Sequence, residues 1–189
     1  MLKKALVILL IMFFFCLGAA MFLVKLYTLP SGSMAPNIEQ GEKILLFKLA
    51  YGGERKPSPG EVVVFSVPGH PGRQLIKRVV AIAGERVGEK RGVLTINNEP
   101  VGERLRGSCW IKDNALTKQQ ACVYFSEKRG QARYRVIRDA PLRQGLGIKS
   151  AVVKEHHVYL LGDNRDNSMD SRHFGAVHEA SIIGRVLGK

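Results

Sequence analysis

Hydrophobic positions fall into two regimes along this chain. Residues 5–24 form one apolar run of twenty residues without a charge. As a helix such a run rises roughly 30 Å, the thickness of a bilayer's hydrocarbon core. Beyond it the apolar positions come in short runs rich in β-branched residues, at 43–47, 61–65, 75–83, 92–96, 134–137 and 158–161. Turn-forming segments separate them, among them Lys56-Pro57-Ser58-Pro59-Gly60, Pro68-Gly69-His70-Pro71-Gly72 and Asn97-Asn98. Short strands at this spacing predict a mostly β chain: a partly barrel-like β domain preceded by an N-terminal transmembrane helix. Residues 181–187 read as a last strand returning to the sheet. The division is 1–25 for a membrane anchor and 26–189 for a β-rich domain, with a candidate insertion around 102–155 that carries no recognisable chemistry.

The apolar run exceeds the length of a cleaved leader's core, and Gly18-Ala19-Ala20 is followed by further apolar residues, so a retained anchor is expected. Lys3 and Lys4 favour a cytoplasmic N-terminus, which puts the rest of the chain on the extracytoplasmic side. The formal charge of +13 is spread along the chain. No segment reads as a recognition helix or as a basic stretch interleaved with aromatics, so nucleic acid is not an expected partner. Two readings of the charge stay open: contact with anionic lipid headgroups, or a solvated surface. Cys16 lies in the apolar run. Cys109 and Cys122 are either a disulfide or two free thiols, and an extracytoplasmic domain permits the first.

Three polar signals interrupt the β pattern. The first is Pro30-Ser31-Gly32-Ser33-Met34-Ala35-Pro36, whose Ser33 stands eight positions beyond Lys25 and so within about 28 Å of the apolar run's end at ~3.5 Å per residue. A serine hydroxyl at neutral pH needs a base to become a nucleophile. None of the five histidines stands in a recognisable triad pattern, and there is no Ser-x-x-Lys motif. The second signal supplies another base. In the strand containing Leu75-Ile76-Lys77-Arg78-Val79-Val80, Lys77 shares a face with Leu75 and Val79, where poor hydration favours the neutral amine. The third is Gly162-Asp163-Asn164-Arg165-Asp166-Asn167-Ser168-Met169-Asp170-Ser171-Arg172. No metal-ligand spacing appears, and neither a metal nor a cofactor is expected.

Together these segments resemble the sequence boxes of type I signal peptidases, membrane-bound Ser–Lys proteases. The resemblance implies that Ser33 is the nucleophile and Lys77 the general base. It implies that Ser31 supplies an oxyanion donor and that Ser168 orients the Lys77 amine. Asp163, Asp170 and Arg172 would form a supporting network, and Met34 would line the pocket for the substrate residue before the cut. The implied function is cleavage of signal peptides from exported precursor proteins. The implied place is the bacterial inner (plasma) membrane, with lipids as neighbours and the catalytic domain outside the cytoplasm. A related branch serves conjugative transfer and matures pilin precursors. A non-catalytic membrane-anchored assembly domain is the rival reading. The chain departs from the family's pattern at Asn37, where Thr is common, and at Ala81-Ile82-Ala83-Gly84-Glu85. Neither departure is expected to touch a catalytic group.

Overall fold

The computed structural model describes residues 6, 8–14, 18, 23–52, 54–112, 119–142 and 145–188. Among the described residues no helix is long and apolar enough to cross a membrane. The described positions between 6 and 23 are helical, and the rest of the expected anchor lies outside the described residues. One boundary differs from the sequence reading. Val24 and Lys25 begin a strand, β1 (Val24–Thr28), so the β domain starts before residue 26.

The chain is mostly β. A seven-stranded sheet carries, in spatial order, β1, β2 (Lys43–Phe47), β14 (Ile182–Gly188), β3 (Val62–Ser66), β4 (Gln74–Ile82), β12 (His157–Leu161) and β13 (Val177–His178). Its named pairings are antiparallel, and β1 and β13 are its edges, so the barrel is open. The expected last strand does return, between β2 and β3. A four-stranded sheet is built from β5 (Arg86–Lys90), β6 (Val93–Ile96), β7 (Glu99–Pro100) and β11 (Ala151–Val152).

Apolar side chains cover both faces of the central strands. Val64 and Ile76 pack with Leu29, Met34, Ile38, Ile44 and Leu46 on one side. Val63, Phe65 and Val79 pack with Val67, Val158, Leu160 and Val177 on the other. The middle of β4, Ile76 to Ala81, is therefore buried at every residue, polar Lys77 and Arg78 included.

The span 102–155 holds a three-stranded antiparallel sheet of β8 (Gly102–Lys112), β9 (Gln119–Arg129) and β10 (Ala132–Asp139). It also holds β11, which belongs to the four-stranded sheet. Cys109 and Cys122 face each other directly across β8 and β9 and are bridged, with Cα atoms 4.8 Å apart. The bridge packs with Ile137 of β10 and against Ala35, two residues beyond Ser33. Ile137 in turn makes a parallel β-bridge to Asn164, so this sheet is joined by its backbone to the third polar segment.

Candidate active site

Ser33 sits in a 3-10 turn, Gly32–Met34, with Ser31 at its N-cap in extended conformation. Pro30 and Pro36 bracket this turn and limit its backbone. The turn presses Met34 into the core while Ser33 faces β4. Lys77 reaches it from β4: Nζ and Ser33 Oγ are hydrogen-bonded at 2.8 Å. Nζ also donates to the Ile76 carbonyl, at 2.8 Å. Ser31 Oγ lies 3.2 Å from Ser33 Oγ, within hydrogen-bonding reach. Ser33 is 7% exposed and Lys77 1%.

An ammonium kept from water is costly unless opposite charges compensate it. Burial dominates at Lys77 and pushes it down to about 8, while Asp170 and Asp163 pull the other way. The two carboxylates are weak opponents because each holds its own arginine. Arg78 grips Asp163 through two nitrogens, at 2.9 and 2.6 Å. Arg172 grips Asp170 likewise, at 2.7 and 2.8 Å. Burial alone would raise Asp170, but Arg172 and the Gly162 N–H hold it below the usual carboxylate range. Asp170 also caps the short helix Ser171–Phe174, which fixes the direction of its carboxylate.

Two expected roles are not made as the sequence reading places them. Ser168 Oγ is buried beside Asp170, near enough to help hold that carboxylate down but without a hydrogen bond of good geometry among the described residues. The hydrogen-bond partners of Lys77 Nζ are Ser33 and the Ile76 carbonyl. Met34 is wholly buried in the core rather than open to a pocket. Ser33, Lys77, Ser31, Asp163, Asp170 and Arg172 do come together. Among the described residues no group of three or more His, Cys, Asp or Glu is placed to hold a metal.

The family profile described as "Signal peptidase, peptidase S26" matches residues 2–188. The chain belongs to this signal peptidase family. It is 33% identical to signal peptidase I of Pseudomonas aeruginosa over 88% of its own length and 64% of the relative's. It is 30% identical to signal peptidase IB of Staphylococcus aureus, over 87% of this chain and 76% of that one. A crystal structure of signal peptidase I from Enterococcus faecalis aligns with 70% of the chain and 98% of that structure's chain, at 22% identity and a TM-score of 0.41. The chain thus spans 64% of the length of its Pseudomonas relatives.

Within this signal peptidase fold, several residues matter that the sequence did not single out. Asn37, read as remote from the chemistry, donates to Asp163 at 2.8 Å and to the Arg135 carbonyl at 2.6 Å. The three-stranded sheet, read as carrying no chemistry, supplies Glu127 to Arg165 and Arg138 to Asp166. Asp166 in turn accepts from the Asp139 backbone at 2.8 Å. The backbone of the third segment also holds the Ser33 turn: Asn164 N–H donates to the Ser33 carbonyl at 3.0 Å. Gly162 lies where these groups crowd. A Cβ there would meet Ser168 Cβ and the Ser33 carbonyl oxygen, each at 2.6 Å.

Two outcomes follow from this packing. Gly162→Ala must displace Ser33 or Ser168, and a displacement near 1 Å commonly costs about 100-fold in rate. Turnover of Gly162→Ala within threefold of the parent would show that the segment yields without disturbing Ser33. Lys77→Met removes a buried ammonium at similar side-chain length. Below pH 8 the folded parent carries that charge, and across roughly pH 8 to 10.4 only its unfolded chain still binds the proton. Lys77→Met should therefore raise Tm at pH 7, and the gain should shrink as pH rises through that window. Thermal scans at pH 7 and pH 10 measure it.

Proposed function

We propose that this chain is a membrane-anchored serine endopeptidase that cleaves signal peptides from exported precursor proteins. Ser33 is the nucleophile and Lys77 the general base. The observation that carries this reading is the 2.8 Å hydrogen bond between two buried side chains, one of them a lysine whose surroundings favour the neutral amine. Ser33 Oγ attacks the scissile carbonyl carbon as its proton passes to the Lys77 lone pair. The oxygen that gains charge would be met by the Ser33 N–H and by the Ser31 hydroxyl, which turns to it from Ser33 Oγ. The Lys77 ammonium then protonates the leaving amine, and the neutral amine so restored activates the water that releases the acyl group.

The membrane setting has support besides the apolar run. Leu26, Leu45 and Leu187 are 56%, 44% and 49% exposed. They stand on β1, β2 and β14, three adjacent strands at the edge that begins where the apolar run ends. Leu26 and Leu45 are direct cross-strand partners. This edge would rest at a lipid surface, with Ser33 a few residues beyond it. The names of the relatives support signal-peptide-bearing precursors as the substrates, and pilin precursors belong in the assay panel.

Ser33→Ala and Lys77→Ala should each abolish precursor cleavage, by ~10³-fold or more, because nucleophile and base act as one unit. Both proteins should keep the parent's fold by circular dichroism. Near-normal turnover by Lys77→Ala would remove the dyad.

The pH profile gives a separate test. Cleavage needs the neutral amine, so kcat/KM of the full chain in neutral detergent micelles should rise with pH, with its limb centred about 8. A limb near the ordinary histidine value of ~6.5 that vanished on replacing one histidine would assign the base elsewhere.

A further inference from the structure

The three-stranded sheet buries a charge that the dyad does not use. Glu127 of β9 is 3% exposed and pairs with Arg165, itself 2% exposed, at 2.5 Å. A buried pair of this kind adds little net stability over well-packed apolar side chains, so its presence calls for another account.

Its connections point to one. Arg165 spends its second contact on the nucleophile's surroundings: Nε donates to the Gly162 carbonyl at 3.0 Å. The Gly162 peptide is wedged between Ser33 and Ser168, and its N–H donates to Asp170 at 3.1 Å. A shift of the Arg165 guanidinium is therefore passed to the backbone against which Ser33 rests.

The sheet is also shaped around the Glu127 side chain. Its partner on β8 is Gly102, where a Cβ would come within 2.7 Å of Glu127 Cγ. Its partner on β10 is Tyr134, whose ring lies 4.0 Å from the Arg78 guanidinium. Arg78 is the group that neutralises Asp163. Neighbouring positions on this one sheet thus support both Arg165 and Arg78.

We propose that Glu127 is a positioning residue for the Ser33–Lys77 dyad, acting through Arg165 on the Gly162 peptide. The proposal rests on the dyad assigned above. Glu127 is assigned no part in proton transfer, since the hydrogen-bond partners of Lys77 Nζ and Ser33 Oγ do not include it. Its effect is on where Ser33 Oγ stands relative to Lys77 Nζ and to an incoming carbonyl.

The test uses the full chain in neutral detergent micelles, with three readouts. These are kcat and KM on a signal-peptide precursor, the rate at which a small serine-directed acylating probe modifies Ser33 by mass spectrometry, and Tm. Glu127→Asp keeps the charge and shortens the reach by one methylene. Its Tm should stay within a few degrees of the parent and KM within about twofold, while kcat and the acylation rate fall about 10- to 100-fold. The double variant Glu127→Met with Arg165→Met leaves no unpaired charge. It should keep the fold and still show the depressed kcat.

Parent-like kcat in Glu127→Asp, or recovery of kcat in the double variant, would reduce Glu127 to a core ion pair and overturn the proposal. Should Glu127→Asp fail to fold, Glu127→Gln, which keeps an acceptor for Arg165 at the same length, is read in its place: parent-like kcat overturns the proposal, and a depressed kcat at parent-like KM upholds it. A parent that is acylated at Ser33 but cuts no precursor would refute the proposed substrate, and the acylation rates would still judge Glu127. A parent with no reaction at Ser33 would end both the dyad and this proposal.

Discussion

Keeping Lys77 out of water is the constraint around which the rest of this structure is arranged. A lysine in contact with solvent holds its proton at neutral pH and could not be the base that we propose for Ser33. One buried beside free carboxylates would hold it more tightly still. The fold meets both conditions by covering β4 on two faces and by giving each nearby aspartate an arginine of its own. What reaches Lys77 is then mostly the cost of desolvation, which favours the neutral amine. The arginines beside the base are there for the aspartates, and the aspartates hold backbone: Asp170 caps a helix and accepts from Gly162.

This arrangement makes the third polar segment a structural hub. Gly162 to Arg172 touches the Ser33 turn through Asn164, strand β4 through Asp163 and Arg78, and the three-stranded sheet through Arg165 and Asp166. Polar networks in a poorly hydrated interior are tolerated when nearly every donor and acceptor is matched, and here most are. The orphans among the described residues include Ser168 Oγ and Asn164 Oδ1, both in this segment. They mark the place where the protein's own partners run out.

Local pattern carried much of this into the sequence. Strand β2 is legible to the residue, and β3, β4, β12 and β14 to within one or two, because β-branched runs bounded by Pro and Gly have few other uses. Period-two alternation was enough to set Lys77 between Leu75 and Val79. What stayed hidden depends on distance along the chain. Glu127 and Arg165 are 38 residues apart, and nothing near either one announces the other. Strand β8 reads Gly-Glu-Arg-Leu-Arg-Gly-Ser-Cys-Trp-Ile-Lys, too polar and glycine-rich to look like a strand without its partner. Val24 was absorbed by the apolar run before it and 25–28 were not read as a strand, although Lys25 marks the change. The facing cysteines were the one available sign that β8 and β9 pair.

The first strand has a consequence for how a substrate must arrive. Val24 to Thr28 pair in unbroken register with Phe47 to Lys43, and Leu29 N–H continues the pattern onto Glu42. Only three residues separate Leu29 from Ser33, and both of these ends are buried. Ser33 is therefore mounted on a post rather than hung from a tether. Its height above whatever precedes Val24 is set by a hydrogen-bond ladder. Adding one residue to that strand would turn its side chains to the opposite faces of the sheet instead of lengthening the reach. On the function proposed above, a scissile bond would have to be presented at that fixed position, set by backbone pairing and not by slack in the chain.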